Sequence, residues 1–533
     1  MTQVTESRVS WVKKLVSNVT IEPVVIFFIF GVVISTGLRI FELEKACATK
    51  LDVELKVCEF FPQLEDSNVC EELSIESLNQ SSEAVETNIA YNVQNDTGQV
   101  EFNRMVCSAK AKAVSEVTFL NSYRSIITGL VQAIVLLFAG SWSDRAGLRK
   151  PCILIPIAAD TFSLCVLIIS ATFMREISLE VTGILPQLIN SLGGGTPLVV
   201  TGIYSYLTIV TTESERTFRF ACAAVVIAIV PILASFFSGY IFKALGFINL
   251  CLLCIATNSI GLLYGLFVLK EPTKVEPATD ADAAHKSGNE PDSSLSGQKW
   301  FDITLVTDCV KVLTKKRDFN MRTILILTLV VFFINFGAAG DLESALNIAI
   351  LKFNWISNLG TWVAYDLLTT LLGTLLAMGV LSKRLGVSDF LICVFSVCFT
   401  LVAKPIMAYA ASAAKPYLYY VATSIDVFEG SKTVAIRSIV SKLVEQNEIG
   451  KMLSLLGIVD SAQAVIYPTV YSAVFLKSQD VFIGSVFLLS EGFLLVSLGF
   501  YLVLYVMSRK LNNKKDLHRN EGIDNAAMEI SSM

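Results

Sequence analysis

Long apolar runs alternate with short polar segments along this chain of 533 residues. A bilayer core about 30 Å thick is crossed by about 20 residues of helix, and twelve runs reach that length. The pattern therefore predicts an all-α membrane protein with twelve transmembrane helices. They lie at roughly 21–41, 119–141, 150–174, 181–210, 218–242, 246–269, 323–350, 357–381, 388–410, 416–440, 450–475 and 479–507.

A short motif occurs twice at equivalent places in this pattern. Gly140–Gly147 joins the second and third predicted helices, and Gly379–Gly386 joins the eighth and ninth. Both copies keep the spacing of Gly, four residues, Arg, one residue, Gly. The echo favours two six-helix repeats, a common construction in transporters. The alternative is that Gly and Arg are simply frequent at cytosolic turns.

Composition supports a membrane protein and excludes several other classes. The chain is 53% hydrophobic and 17% charged, and its mean hydropathy is +0.61. A net charge of −5 gives no sign of a nucleic-acid partner. Neither a metal-ligand spacing nor a set of nucleophile and base is visible, so we expect no enzyme activity, no metal and no cofactor. We expect a monomer in a lipid bilayer.

The short loops and both tails differ in their Lys and Arg content. These residues collect in one set of loops and in the two tails, so both termini are predicted to be cytosolic. The predicted organisation is a cytosolic segment 1–20, a six-helix half 21–269, a cytosolic linker 270–321, a second six-helix half 322–507 and a tail 508–533.

This orientation makes the long segment 42–118 extracytosolic. It contains two glycan acceptor motifs, at Asn79 and Asn95. It also contains an even number of cysteines, which favours two disulfides in an oxidising compartment, with the pairing left open. Those cysteines are Cys47, Cys58, Cys70 and Cys107.

The linker has two parts of different composition. Segment 271–300 is rich in Pro, Ala, Asp, Ser and Gly, which predicts flexible chain. Segment 300–317 alternates apolar and basic residues, which predicts an amphipathic helix on the cytosolic leaflet. A plain solvated connector is the alternative.

The tenth predicted helix carries the densest group of charges. Asp426, Glu429, Lys432 and Arg437 fall within one arc if this segment is a continuous helix. Charge in a membrane helix costs about 2.5–3.5 kcal/mol per residue, so each such residue needs an explanation. The acids are candidates for proton exchange, and Lys432 or Arg437 for binding an anionic solute. The alternatives are a neutralised Glu429–Lys432 pair and a snorkelling Arg437.

Single acids in other predicted helices are weaker candidates. Asp366 is the first of these, because Tyr365 and Thr369 or Thr370 could complete a polar patch around it. For each single acid, a packing hydrogen bond is an equal alternative. The others are Asp160, Asp460, Glu491, and Asp341 with Glu343.

The first copy of the repeated motif is a candidate cytosolic gate. Its members are Gly140, Asp144, Arg145 and Gly147, with Arg149 just beyond. A carboxylate here can cap a helix N-terminus and pair with an arginine, and such a pair must break when the gate opens. A solvated turn is the alternative.

Glycines interrupt two predicted helices. Gly193, Gly194 and Gly195 lie in the fourth, and Gly337 and Gly340 lie in the seventh. Interrupted membrane helices free backbone groups for ligand binding or bending. Close helix packing by small residues is the alternative.

Five stretches resemble the major facilitator superfamily and, more narrowly, the proton-coupled folate transporter family (solute carrier family 46). The stretch leaving the tenth helix is the most family-specific. These stretches are Ile21–Pro23, Gly140–Gly147, Arg216–Arg219, Phe336–Ala338 and Ile436–Val444.

The resemblance implies secondary active transport of a bulky organic anion, such as a folate-like or muropeptide-like solute, by proton-coupled symport and alternating access. It places Arg437 at a family arginine tied to substrate and proton coupling. It places Asp144 at the family's gate aspartate.

The chain also departs from the folate branch. Ala224 replaces a coupling glutamate, Gly195 an aspartate, Asn335 a histidine and Leu148 an arginine. We therefore expect a member outside the folate-specific branch, in which Asp426, Glu429 or Asp366 would carry any coupled proton. A facilitative carrier without protons and a transport-inactive receptor or scaffold are the alternatives. Plasma membrane and lysosomal membrane both fit the predicted glycosylated, disulfide-bonded loop.

Overall fold

The computed structural model describes residues 21–34, 38–51, 53–61, 96–146, 148–211, 213–271, 313–315, 321–445 and 448–531. This part of the chain contains helices and turns and no strand. The helices of the first stretch are α1 Glu22–Ile34, α2 Leu38–Lys50, α3 Leu55–Glu59, α4 Asp96–Ala146, α5 Lys150–Thr172, α6 Leu179–Leu192, α7 Gly195–Val210 and α8 Glu213–Phe267. Those of the second are α9 Met321–Ala339, α10 Leu342–Phe353, α11 Ser357–Leu376, α12 Asp389–Ser412, α13 Tyr417–Ile425, α14 Glu429–Leu443, α15 Ile449–Ser478 and α16 Ser485–Ser531.

Seven helical segments within the described residues are long and apolar enough to cross a bilayer. The all-helical prediction is therefore confirmed. The number of twelve spans and the cytosolic termini stay predictions. Helix α8 shows how two predicted spans meet, because Gly246 has the non-helical angles φ 72° and ψ 177° inside it. The predicted fifth and sixth helices thus follow one another directly, with a kink in place of a loop.

Local sequence explains where several helices begin. Ser178 precedes α6, and its hydroxyl accepts a hydrogen bond from the Val181 amide at 3.4 Å. Ser388 does the same for the Leu391 amide at the start of α12, also at 3.4 Å. Each serine satisfies one of the amides that a helix N-terminus leaves without an intrahelical partner.

The chain divides into two compact units. Unit 1 comprises Met1–Thr49 and Ile127–Ile303, and unit 2 comprises Lys50–Ile126 and Thr304–Met533. In unit 1, Phe28 of α1 belongs to one buried apolar cluster with Ile153 of α5 and Ile203 of α7. In unit 2, the buried apolar cluster combines side chains of α9, α12, α14, α15 and α16.

The tenth predicted helix is not continuous, which corrects the sequence prediction. Helix α13 ends at Ile425 and α14 begins at Glu429, with turns at 426–428. The turn packs against the neighbouring helix α11, where a Cβ on Gly373 would come within 1.8 Å of the Val427 carbonyl oxygen. Glycine at 373 therefore lets the backbone of the turn approach α11 closely.

Candidate functional site

A buried ion pair lies beside the break between α9 and α10. The Lys404 ammonium lies 3.1 Å and 2.9 Å from the two carboxylate oxygens of Asp341. Ser490 donates a further hydrogen bond of 2.8 Å to Asp341. Asp341 and Lys404 are only 3% and 5% exposed. A pair this buried is stable only when both charges are compensated, as they are here.

A second group of charges lies at the break between α13 and α14. The Thr400 hydroxyl donates to Asp426 at 2.6 Å, and the Lys432 ammonium lies 3.5 Å from the same hydroxyl oxygen. Lys432 lies 4.0 Å from the Glu429 carboxylate, one helical turn away. Lys432 is 2% exposed, so its ammonium is buried like that of Lys404. Its nearest carboxylate lies farther away, at 4.0 Å compared with 2.9 Å for Lys404.

Helix α12 supplies a polar stripe that joins these two groups. Ser396, Thr400 and Lys404 are spaced four residues apart, which places them on one face of the helix. Ser396 donates to the Phe428 carbonyl oxygen at 2.7 Å, inside the break that follows α13. Thr400 and Lys404 were not among the site residues predicted from the sequence. Their four-residue spacing in an otherwise apolar helix was the signal that could have found them.

Asp366 of α11 belongs to the same charged group. It interacts electrostatically with Glu429 and Asp426. Two of the hydroxyls predicted to form a polar patch around it, those of Tyr365 and Thr369, have other hydrogen-bond partners. The Tyr365 hydroxyl lies 2.8 Å from that of Ser424, and the Thr369 hydroxyl donates to main-chain carbonyl oxygens.

We call Asp341, Asp366, Lys404, Asp426, Glu429 and Lys432 the carboxylate–lysine cluster. The two groups are linked, since Lys404 interacts electrostatically with both Glu429 and Asp426. Four carboxylates face two ammonium groups, so the fully ionised cluster carries excess negative charge. Excess charge is costly in a poorly solvated interior, and uptake of protons relieves that cost.

Two further predicted site residues lie in unit 2. Arg437 lies 3.4 Å from the Asp460 carboxylate, and the two side chains are 53% and 31% exposed. This half-exposed pair was not predicted. Asn335 of α9 is buried, and its amide oxygen has no hydrogen-bond partner among the described residues.

The predicted gate is described only in part. Helix α4 includes Gly140, but the side chains of Asp144 and Arg145, and Gly147 itself, lie outside the described residues. Arg149 donates to the Ser143 hydroxyl at 3.0 Å.

The carboxylate that the structure places at the N-terminus of α5 belongs to Glu271. It accepts hydrogen bonds from the main-chain amides of Arg149 and Lys150. Glu271, which lies just beyond the end of α8 at Phe267, was not predicted from the sequence.

The predicted helix interruptions lie at two places. Helix α6 ends at Leu192, and Gly194 and Gly195 have φ of 90° and 57° before α7 continues. Gly337 lies in the last turns of α9, whereas Gly340 lies in the turn between α9 and α10.

The predicted loop modifications are described in part. Cys47, Cys58 and Cys107 are disulfide-bonded. Cys70, Asn79 and Asn95 lie outside the described residues, so the two-disulfide framework and the glycans stay predictions. Most of the predicted amphipathic helix, 300–317, also lies outside.

One buried ion pair in unit 1 connects two stretches that carried the family resemblance. Arg219 lies 3.4 Å from the Glu22 carboxylate, and both side chains are 9% exposed. The stretches around these residues thus lie together in the fold.

The family model of the Major Facilitator Superfamily matches residues 114–468. This range is more than half of the chain, so the chain belongs to the Major Facilitator Superfamily. It is a multi-pass membrane transporter and not an enzyme. The predicted resemblance is confirmed at the level of this superfamily, and curated relatives fall in solute carrier family 46.

Three curated relatives are similar at low identity. Solute carrier family 46 member 2 of Mus musculus is 23% identical over 57% of this chain and 64% of its own length. The proton-coupled folate transporter of Rattus norvegicus is 22% identical over 72% of this chain and 79% of its own. The lysosomal proton-coupled steroid conjugate and bile acid symporter of Pongo abelii is 25% identical over 72% and 78%.

A solved structure supports the fold. The human organic anion transporter TETRAN has a TM-score of 0.52 and 13% identity, over 90% of this chain and 98% of its own. At this identity the match concerns the fold alone.

Proposed function

We propose that the chain is a proton-coupled symporter of an organic anion. The observation that carries the proposal is the carboxylate–lysine cluster, in which four carboxylates accompany two lysines at an interrupted helix. Such a cluster can exchange protons as its charge balance changes, and it can hold an anion at a lysine. Both properties are needed for symport of a proton with an anion.

The two lysines suit different tasks. Lys404 contacts both oxygens of Asp341, so its charge is already compensated. Lys432 has a partner at 4.0 Å and a hydroxyl at 3.5 Å, which leaves its ammonium available for an incoming carboxylate or sulfate group. We therefore assign anion binding to Lys432 and a structural role to the Asp341–Lys404 pair.

The acids near Lys432 suit proton exchange. Glu429 is 27% exposed at its side chain, whereas Asp426 is buried and held by Thr400. Asp366 interacts electrostatically with both. An anion that binds Lys432 would weaken its attraction to Glu429, which favours protonation of the acids in the same step.

The solute class follows from the relatives' names and from the departures noted above. Folates, bile acids and steroid conjugates are bulky organic anions. Asn335 and Ala224 differ from the folate branch, which favours a non-folate anion. We propose a monomer with cytosolic termini in the plasma or lysosomal membrane.

The test is radiolabelled uptake in cells that lack endogenous carriers, at mildly acidic and neutral external pH. The solutes are a bile acid conjugate, a folate and a muramyl dipeptide, measured side by side. Asp426→Asn with Glu429→Gln should abolish accumulation driven by a pH gradient while solute exchange persists. Lys432→Gln should raise the KM for the anion about tenfold or more, because the variant loses one charge-assisted hydrogen bond to the solute.

Lys442→Gln is the matched control, because Lys442 lies on the same helix but pairs with Asp389 at 2.6 Å near its far end. It should keep the wild-type KM. Surface biotinylation must show equal expression of all variants. If solute accumulation in the double variant still followed the pH gradient, Asp426 and Glu429 would be excluded as the proton-coupling acids. If the wild-type chain showed saturable solute uptake that did not change with external pH, a facilitative carrier without proton coupling would be favoured.

A further inference from the structure

Unit 1 buries a carboxylate of its own in the middle of α5. Asp160 is 8% exposed and lies within an apolar helix of membrane-spanning length. Asn190 of α6 donates to one carboxylate oxygen at 3.0 Å, and Asn258 of α8 donates to the other at 2.7 Å. Three helices therefore converge on one acid.

The described residues around Asp160 supply no positive charge. Among the described residues no lysine or arginine pairs with it, and its hydrogen-bond partners are neutral amides. A titratable group that interacts with it from a packed helix is the Cys254 thiol of α8. An ionised carboxylate buried in this way lacks a counter-charge, which is costly in a low dielectric.

The two amides add a second imbalance. The side-chain oxygens of Asn190 and Asn258 are buried and accept no hydrogen bond from the described chain. The trio therefore has acceptors without a matching donor. One proton on Asp160 would remove the uncompensated charge and also supply a donor to an amide oxygen, since either asparagine amide can turn over.

We propose that Asp160, Asn190 and Asn258 form a proton-binding site in unit 1, in addition to the carboxylate–lysine cluster of unit 2. The acid carries the proton, and the two amides orient the carboxyl group in both protonation states. The site needs no group that the described residues do not provide.

The first test uses Asp160→Asn, which has the shape of the protonated acid, no charge and its own N–H donors. Thermal unfolding of the purified full chain is followed from mildly acidic to mildly alkaline pH. If Asp160 binds a proton, the variant should unfold at a temperature a few degrees above wild type at the alkaline end, and the difference should vanish at the acidic end. A variant that unfolds lower than wild type by the same amount at every pH would overturn the proposal, because Asp160 would then act as a fixed anionic acceptor.

The second test reads the proton directly. The infrared carbonyl band of a protonated carboxyl group should appear in wild type as pH falls, and Asp160→Asn should remove part of it. Asn258→Leu deletes one hydrogen-bond donor to the ionised carboxylate, which favours the protonated form. The band should therefore persist to a pH about one unit higher than in wild type, which corresponds to about tenfold tighter proton binding. Unchanged spectra in Asp160→Asn, or an unchanged titration in Asn258→Leu, would overturn the site.

A sodium ion could use the oxygens of the same three side chains, so a third arm replaces choline chloride with sodium chloride at alkaline pH. We expect no change in unfolding temperature. If sodium raised the unfolding temperature of the wild-type chain and Asp160→Asn removed that rise, the site would bind sodium. That result would overturn the assignment to protons.

Discussion

The break after α6 in unit 1 and the break after α13 in unit 2 form by different means. In unit 1 the interruption uses its own glycines, since Gly194 and Gly195 adopt positive φ between α6 and α7. In unit 2 the turns at 426–428 contain no glycine, and the room for them comes from Gly373 on another helix. A helix can thus be broken by its own flexibility or by the space that a neighbour leaves.

The units also differ in the polar groups they bury. Unit 1 surrounds Asp160 with neutral amides, whereas unit 2 sets four carboxylates against two lysines. A neutral shell suits binding of a proton alone. A charged cluster can also bind an anion, because it contains a cation with loose partners.

The largest expected effect concerns the break in unit 2. In Gly373→Ala the new methyl group would lie 1.8 Å from the Val427 carbonyl oxygen, so the backbone must move. We expect a loss of at least about 3 kcal/mol of stability and little folded protein at the surface. Fluorescence size-exclusion chromatography and thermal unfolding measure this.

Gly379→Ala is the matched control, because a Cβ at Gly379 meets nothing within 4 Å among the described residues. It should behave like wild type. Equal profiles for both variants would show that the break does not depend on close approach of α11, and the contrast between the units would fail.

The next effect concerns the Asp341–Lys404 pair. Asp341→Asn or Lys404→Met leaves one buried charge without its partner, so each should destabilise unit 2 by about 3–5 kcal/mol. The double variant Asp341→Asn with Lys404→Met should lose much less, because no charge remains. Unfolding midpoints of the four proteins give the coupling. Additive losses in the double variant would mean that the two residues do not compensate each other.

The helical fold, the superfamily and the acids of the tenth segment could be predicted because they depend on local apolar periodicity and on charges that stand out within apolar runs. The glycine interruption in unit 1 could also be predicted, because three consecutive glycines stand out within an apolar run. The break after Ile425 was not, because the glycine that permits it lies on α11. Lys404 was missed as well, since its ion pair with Asp341 depends on how α12 packs beside the start of α10.

The smallest expected effect concerns Lys45, a buried lysine of unit 1. Its hydrogen-bond partners are main-chain oxygens, whereas Lys404 pairs with a carboxylate. Lys45 of α2 lies beyond the predicted first span, and its ammonium donates to the main-chain oxygens of Ser170 and Phe173 at 2.9 and 3.0 Å. Burial lowers the pKa of Lys45 from 10.5 to about 8, against an opposing effect of Glu176.

The unfolded chain therefore binds more protons than the folded chain between those two values, and stability should rise with pH across that window. Lys45→Met should flatten this rise in a series of thermal unfolding curves. A variant that keeps the wild-type slope would show that another group titrates there.

The most direct test of the proposed symport is internal acidification of proteoliposomes during solute entry. The wild-type chain is reconstituted with a pH-sensitive dye inside, and a bile acid conjugate is added outside without a pre-formed pH gradient. We expect the interior to acidify in step with uptake, and the Asp426→Asn with Glu429→Gln variant to exchange solute without acidification. Uptake by the wild-type chain with no movement of protons would contradict coupling through the carboxylate–lysine cluster.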